Sequence, residues 1–137
     1  MSREFKFRVW DSSINEYLQA DQDNPYLYCK LGISYNLSDI MFFYARPKNN
    51  RWVVQQYTGL TDAKGNEIFE GDILQFSDED KGDEPCEVIY ELGMFGCNII
   101  DTSNNKDFWQ LYYIVTKLKP IVIGNVFENP KMRGIYE

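Results

Sequence analysis

The sequence predicts a mainly β protein whose short strands close into a small barrel or sandwich, and three observations lead to this prediction. Aromatic residues make up 16% of the 137 residues, and aromatic side chains favour strands over helices. Residues 5–9 alternate between apolar and charged side chains, which is the period of a strand with one buried face. Short apolar runs separated by glycine-rich turns recur roughly every 8 to 12 residues.

Length and composition describe one globular domain. A chain of 137 residues has the usual size of a single domain, and its 44% apolar and 26% charged fractions exclude disordered, collagenous and membrane-spanning chains. Within residues 1–137 we expect an N-terminal strand, loops and a hairpin extension over 1–55, the barrel core over 56–130 and a tail over 131–137. At most one or two short helices are expected.

The first strand is the segment of strict alternation. A period of two places Phe5, Phe7 and Val9 on one face, which we expect to be buried. Lys6 and Arg8 then lie on the face toward solvent. The sequence therefore predicts a half-buried strand within the first ten residues.

Loops and one hairpin follow in the N-terminal half. Residues 11–15 are rich in turn formers, and residues 19–25 form a polar loop whose Asn-Pro step disfavours helix. The runs 40–45 and 52–57 flank a polar turn, which predicts a hairpin. The pair Ser38–Asp39 leaves a second interpretation open, because these residue types cap a short helix.

The strongest local signal lies between residues 58 and 66. Asp62 opens and Gly65 closes a four-residue turn, because Asp accepts backbone hydrogen bonds and Gly adopts the positive φ that ends many hairpin loops. Residues 67–76 then predict two short strands separated by a kink at Gly71.

The C-terminal half continues this pattern and holds one candidate helix. We expect a charged loop (77–85), a strand (86–90), a turn (93–96), a further strand (97–100) and a closing strand (120–127) ended by Asn129–Pro130. Apolar side chains recur at helical spacing over residues 107–118, which predicts a helix there. Residues 112–115 also suit a strand, so that alternative stays open.

The negative charge is concentrated in one region. Residues 61–91 carry eleven carboxylates against two lysines, a charge of −9, whereas the whole chain has a net charge of −7. The rest of the chain therefore sums to +2. A sequence pI near 4.6 argues against nonspecific binding to nucleic acid or to an anionic membrane, since both need a basic surface.

The N-terminus and the cysteines indicate the compartment. The first ten residues lack the apolar stretch of a signal peptide, and the longest apolar run, 40–45, is too short to span a membrane. Cys29, Cys86 and Cys97 have neither a disulfide framework nor zinc-site spacing. We therefore expect a cytoplasmic protein with reduced, mostly buried thiols and no membrane partner.

Residue types that carry catalysis are scarce. The sequence contains no histidine, which removes the commonest general base and metal ligand. No serine lies in a G-x-S-x-G elbow. We therefore predict that the chain is not an enzyme and that it holds no cofactor and no metal.

One carboxylate run has the composition of a calcium loop. It consists of Asp78, Glu79, Asp80, Asp83 and Glu84. The run lacks the EF-hand residues at three defining positions, so we predict a solvated loop that leaves only a weak divalent-cation site open.

A second carboxylate group surrounds the predicted turn: Asp62, Glu67, Glu70 and Asp72. Paired carboxylates can perform acid–base chemistry, but the spacing of Asp62 to Gly65 is that of a turn former. Asp72 follows the glycine of the predicted kink and is placed to bond the bent backbone. We therefore predict structural roles for this group.

The N-terminus also contains a small basic and aromatic patch. Alternation places Lys6, Arg8 and Trp10 on one side of the first strand. Such a patch is a candidate site for a phosphate or for an acidic partner. The plainer interpretation is that Trp10 covers the stem of Arg8.

Three segments together resemble one family. FKFRVWD (5–11), QYTGLTDAKGNEIFEGDIL (56–74) and VIGNVFENP (122–130) are similar to the three signature blocks of the YopX family, small proteins of bacterial phages and prophages. The resemblance implies a cytosolic β-roll of the SH3-like barrel type. It implies no activity, because the family carries none that is established.

The signature residues themselves look structural. They are Tyr57, Gly59, Leu60, Asp62, Gly65, Gly71, Asp72 and Gly124. The glycines among them are the residue type that adopts unusual backbone geometry, and the apolar ones are expected in the core.

The sequence thus favours a noncatalytic binding or accessory module of phage origin. The expected partner is a host or phage protein, or a second copy, held by the acidic run of residues 78–84 together with exposed aromatics from Gln110–Tyr113. The alternative is a nucleic-acid-related protein. In one form it binds single strands through Lys6, Arg8 and Trp10, and in the other its carboxylates imitate DNA phosphates and occupy a host DNA-binding protein.

Overall fold

The computed structural model describes residues 6–20, 26–28, 34–36, 38, 40, 51–76, 85–100 and 105–133. These residues are mainly β, as predicted. They divide into two compact units, one of Lys6–Gln56 and the other containing the described residues from Tyr57 onward.

The first unit is an antiparallel sheet in the order β4-β3-β2-β1-β5. Its strands are β1 (Phe7–Asp11), β2 (Glu16–Ala20), β3 (Tyr26–Tyr28), β4 (Ser34–Asn36) and the beginning of β5 (Trp52–Thr61). Val9 of β1 stands opposite Leu18 of β2 and Val54 of β5. These three side chains form a buried core with Leu27 and Ile40.

The first strand is where the predicted burial pattern is partly wrong. Val9 is buried as expected, but Phe7 is 46% exposed. The described pairing of β1 with β2 begins at Val9, so Phe7 lies beyond the last cross-strand partner that β2 supplies. Trp10, expected on the solvent side, is only 6% exposed.

Two further predictions for this unit change. Residues 19 and 20 belong to β2 rather than to a loop. Ser38 and Ile40 are helical, which favours the helix interpretation over a strand beginning at Ile40. The amide N–H of Ser38 donates to Oδ1 of Asn36 at 2.8 Å, so Asn36 provides the contact of an N-terminal cap. Residues 41–50 lie outside the described residues.

An ion pair between a buried carboxylate and a partly exposed guanidinium joins the two ends of the first unit's sequence. Asp11 is fully buried, and its two carboxylate oxygens accept from Nε and Nη2 of Arg51, both at 3.0 Å. The hydroxyl of Ser13 donates to the same carboxylate at 2.7 Å. The Arg51 guanidinium also lies 4.4 Å from the ring centroid of Trp52 and donates to the Tyr35 hydroxyl. Burial opposes the charge on Asp11, but the hydrogen bonds from Arg51 and Ser13 outweigh it and lower its pKa.

The second unit contains a five-stranded antiparallel sheet in the order β10-β9-β8-β7-β11. These five strands are β7 (Asp72–Gln75), β8 (Cys86–Glu91), β9 (Met94–Ile100), β10 (Lys106–Gln110) and β11 (Ile121–Asn125). The unit also contains the end of β5, which pairs with β6 (Glu67–Phe69). Short helices cover Leu111–Tyr113 and Pro130–Arg133, and a π-helix covers Ile114–Leu118. The core is formed by Ile68, Leu74, Phe76, Cys86, Val88, Cys97, Ile99, Leu111 and Ile114. The strands predicted over residues 67–76, 86–90, 97–100 and 120–127 are present, whereas SH3-like closure stays a prediction.

The structure places the helix predicted over residues 107–118 and the turn predicted over residues 93–96 at different bounds. The helix begins at Leu111 because residues 106–110 pair with β9 as strand β10. The turn is Leu92–Gly93, with φ of +56° and +78°, the positive values that a two-residue hairpin needs. Gly96 lies inside β9 instead, where the ring of Phe108 packs against it.

A Gly96→Ala substitution is expected to lower the free energy of unfolding by about 2 kcal/mol. A Cβ at this position would lie 2.4 Å from the carbonyl oxygen of Trp109 and 2.5 Å from Cζ of Phe108, so the strand pair has to separate. Urea unfolding measures the change. Gly93→Asn is the control, since a Cβ there meets nothing within 4 Å and Asn tolerates a positive φ. Equal midpoints for the two variants would contradict this packing.

Two thiols lie side by side in the second core. Cys86 and Cys97 are free and buried, as predicted, while Cys29 lies outside the described residues. Burial and a hydrogen bond with Cys86 raise the pKa of the Cys97 thiol. Within the described part of the chain, no helix has the length and apolar character needed to cross a membrane.

Candidate functional site

Asp62 belongs to the second carboxylate group of the sequence analysis. It stabilises the turn from Asp62 to Gly65 and links this turn to β11. It is 6% exposed, and it accepts hydrogen bonds from the amides of Lys64, Asn66 and Val122 at 2.9, 2.8 and 2.9 Å. Gly65, with φ of +85°, donates to the carbonyl of Asp62, which is the predicted turn. Burial disfavours the ionised carboxyl, but the bonds from Val122 and Asn66 outweigh this and lower its pKa.

Asp72 has the corresponding role at the kink. It is 2% exposed, and its Oδ2 accepts from the amide of Phe69 at 2.8 Å. Gly71, with φ of +87°, donates to the carbonyl of Val88 and accepts from the amide of Val126. Both buried carboxylates of the signature therefore organise backbone. Of the other two members of the group, Glu67 is exposed and Glu70 is half-buried.

The last signature block also builds a turn. Oδ1 of Asn125 accepts from the amides of Phe127 and Glu128 at 3.1 and 2.9 Å. The amide of Asn125 donates to Oδ1 of Asn129 at 3.1 Å, and a Cβ on Gly124 would lie 2.4 Å from that same oxygen. Glycine is therefore required at 124 to let Asn129 close the turn. Sequence analysis missed Asn125, whose signal is an Asx residue at the end of the strand.

The other signature residues lie in the same unit. Tyr57 is 8% exposed and its ring centroid is 5.5 Å from that of Phe69. Gly59 has φ of +86°, and Leu60 is partly buried against the core. These positions also serve packing and backbone geometry.

The patch predicted at Lys6, Arg8 and Trp10 is not an open stacking platform. The Arg8 guanidinium lies 4.6 Å from the ring centroid of Tyr17, and its Nε donates to Oε1 of Gln55 at 2.9 Å. Trp10 packs edge-on against Tyr17 at 5.0 Å. Because Trp10 is buried, little of its ring is accessible to a base, and the Arg8 guanidinium stacks on Tyr17.

The acidic run of Asp78, Glu79, Asp80, Asp83 and Glu84 lies outside the described residues, so its role stays a prediction. Among the residues that the structure describes, no three His, Cys, Asp or Glu side chains form a group that could hold a metal ion.

Large apolar side chains are exposed at two places in the second unit. The hairpin tip, defined as Tyr90, Leu92 and Met94, has exposed fractions of 58%, 79% and 40%. In the helix after β10, Tyr112 is 64% and Tyr113 is 44% exposed. The exposure of Tyr112 and Tyr113 agrees with the exposed aromatics that the sequence analysis expected there, whereas Leu111 between them and Gln110 is buried. The sequence analysis missed the hairpin tip. Its signal was apolar residues on both sides of a turn glycine, where polar side chains are usual.

A small cavity opens beside these exposed tyrosines. Trp109, Gln110 and Tyr113 line a notch of about 320 Å³, which we call the aromatic notch. The rings of Trp109 and Tyr113 meet edge to face, with centroids 5.5 Å apart and planes at 84°, and the Gln110 amide adds a polar group. The notch is followed by the π-helix, an element found disproportionately at functional sites.

Comparison with known proteins places these features in context. The YopX protein family model matches residues 6–132. The crystal structure of protein EF1440 from Enterococcus faecalis is 25% identical, with a TM-score of 0.59, and the match covers 96% of this chain and 99% of that one. Protein yopX from Bacillus subtilis is 18% identical, with a TM-score of 0.55 and coverage of 92% and 95%, and this likeness shows the fold alone.

A curated relative matches a shorter stretch. Ribosome maturation factor RimM from Lactobacillus helveticus is 36% identical over 62 residues. The match covers 45% of this chain and 36% of that protein, so the chain spans little more than a third of this relative's length.

Proposed function

This chain belongs to the YopX family, and on that premise we propose that it is a noncatalytic binding or accessory module of phage or prophage origin that acts through its surface in the bacterial cytoplasm. The observation that carries this proposal is a contrast between the buried and the exposed side chains of the second unit. The buried signature carboxylates bond backbone amides, whereas large apolar side chains stand exposed at the hairpin tip and after β10.

Exposed apolar side chains favour a protein partner. Aromatic residues are enriched in protein interfaces, and buried aromatic anchors supply much of the binding energy. Tyr112 and Tyr113 are exposed beside the aromatic notch. We therefore assign the partner surface to the aromatic notch and its neighbouring tyrosines, with the acidic run 78–84 as the competing assignment.

Partner capture with matched variants tests this proposal. Tagged protein is expressed in phage-infected bacteria, and the proteins retained are quantified by mass spectrometry. The double variant Tyr112→Ser, Tyr113→Ser is expected to lose about tenfold of the retained partner, equivalent to about 1.4 kcal/mol of binding. Phe7→Ser is the control, because it removes an aromatic residue of similar exposure from the first unit.

Two results would contradict the assignment. Equal retention by the wild-type protein and the tyrosine variant would remove the notch from the interface. Loss of the partner only when Asp78, Asp80, Asp83 and Glu84 are changed to Asn and Gln would assign the interface to the acidic run instead. Circular dichroism of each variant shows whether the fold is kept.

A second candidate function concerns nucleic acid, and the partial match to a ribosome maturation factor favours it. Ribosomes are built on RNA, so this candidate requires direct binding to RNA or action on an RNA-binding protein. Filter binding to single-stranded RNA across a salt series distinguishes these forms. Direct binding weakens steeply with salt, whereas a phosphate mimic shows no RNA affinity but displaces RNA from a basic protein.

A further inference from the structure

Strand β10 is an edge of the five-stranded sheet. Among the described residues β9 is its strand neighbour, and β10 ends the strand order. The carbonyl oxygen of Trp109 points toward β9, because it lies 2.4 Å from the site of a Cβ on Gly96. Backbone groups on an antiparallel strand alternate between its two sides. Phe108 therefore directs its N–H and C=O away from β9, which is the arrangement that accepts another strand.

The aromatic notch lies at the end of this edge. Trp109 and Gln110 are the last residues of β10, and Tyr113 is in the helix that follows. The notch is shallow and open to solvent, and its volume of about 320 Å³ has room for one or two side chains. When a peptide adds to a sheet edge, backbone hydrogen bonds supply affinity and a neighbouring pocket supplies specificity. The β10 edge and the aromatic notch together provide such an edge and such a neighbouring pocket.

The net charge of residues 105–120 indicates the sign of the charge that a partner should carry. Residues 105–120 contain Lys106, Lys117 and Lys119 against Asp107, a charge of +2 in a chain whose net charge is −7. Lys106 lies on the same face of β10 as Gln110, and Lys117 follows Tyr113 by four residues, about one helical turn. Carboxylates on a partner complement these lysines. Nucleic acid fits less well, because it is repelled by the remaining charge of −9 and has no peptide backbone to pair with the edge.

We propose that the β10 edge binds an extended, acidic peptide segment of a partner protein, which pairs with Phe108 and places one aromatic or large aliphatic side chain in the aromatic notch. This inference rests on the proposed function as a binding module and names the partner's chemistry.

Fluorescence anisotropy with synthetic peptides tests the affinity. The probe is a labelled ten-residue peptide of alternating Val and Glu with a central Phe. We expect binding that weakens at least tenfold when Glu is replaced by Lys, when the central Phe is replaced by Gly, or when the amides of alternate residues are methylated. Tyr113→Ser is expected to weaken binding similarly, whereas Phe7→Ser, which removes an aromatic residue of similar exposure from the first unit, leaves it unchanged.

Amide hydrogen exchange tests the pairing itself in the full chain. Bound peptide is expected to slow exchange at Lys106, Phe108 and Gln110, whose amides face outward. Exchange at Asp107 and Trp109, which face β9, is expected to change little. This alternation is a signature that simple burial of the notch would not produce.

Several outcomes overturn the inference. These are the absence of binding up to about 1 mM peptide, equal affinity for the Lys peptide, protection without alternation, or tighter binding of a ten-nucleotide oligothymidine. If the partner-capture experiment shows a partner lost with the tyrosines while every peptide fails to bind, the binding-module proposal stands and only the extended-peptide inference fails.

Discussion

Replacing Asp62 with alanine is expected to lower the free energy of unfolding by about 3 kcal/mol. The carboxylate accepts from the amides of Lys64, Asn66 and Val122 and from Nδ2 of Asn66. Hydrogen bonds to a charged group are each worth about 1.5 to 3 kcal/mol, but exposed amides in the turn regain water when the carboxylate is removed. Of these hydrogen bonds, the one from the Val122 amide is the bond that water replaces least well. Urea unfolding followed by circular dichroism measures the loss.

The matched control is Glu67→Gln in the same segment. Glu67 is exposed, and its variant is expected to change stability by less than about 0.5 kcal/mol. Similar losses for the two variants would show that the effect comes from overall charge and not from the buried acceptor.

The depressed pKa of Asp62 also predicts how stability depends on pH. An unfolded aspartate titrates near pH 3.9, and the folded pKa lies below its ordinary value. The stabilisation is therefore fully present above about pH 4 and is lost as the pH falls through the folded pKa. In a plot of the unfolding midpoint against pH, the fall at acid pH (the acid limb) is expected to be less steep for Asp62→Ala than for the wild-type protein. An acid limb as steep as that of the wild-type protein would contradict this.

Replacing Arg51 with methionine is expected to cost about 2 to 3 kcal/mol, less than the loss of a fully buried partner, because solvent screens a guanidinium that is 37% exposed. The substitution removes the two hydrogen bonds from Arg51 to the fully buried carboxylate of Asp11 and leaves the bonds from Ser13 to compensate its charge. Methionine fills much of the volume beside Trp52, so the loss reports the uncompensated charge more than a cavity. Thermal and urea unfolding of the full chain measure it.

A double-mutant cycle is the control for the ion pair. Asp11→Asn combined with Arg51→Met removes both charges, and the double variant is expected to be more stable than the sum of the two single losses requires. Strict additivity would show that Asp11 and Arg51 act independently, which contradicts the paired geometry.

The features that the sequence predicted best depend on contacts within a few residues. The turn from Asp62 to Gly65 and the kink at Gly71 each have a residue type suited to its backbone geometry, and both are present. The structural roles assigned to Asp62 and Asp72 follow from the same local chemistry.

The features that the sequence did not predict depend on distant partners. Phe7 is exposed because the pairing of β2 with β1 ends before it, and no periodicity within β1 contains that information. Residues 107–110 have helical spacing, yet the ladder to β9 makes them a strand. Tertiary pairing outweighs local preference in such segments. The sequence predicted exposed aromatics from Gln110–Tyr113 but no notch, because Trp109 joins these residues through the bend between β10 and the helix.

The bond between Val122 and Asp62 spans sixty positions of sequence, whereas the other contacts of that carboxylate lie within four. A ribosome delivers residues 62–66 long before it delivers residue 122. The growing chain can thus complete the small loop early and hold an anionic acceptor ready until the final strand emerges. Synthesis halted before residue 121 would leave this acceptor without its distant donor, so we expect such fragments to unfold more readily than the finished chain.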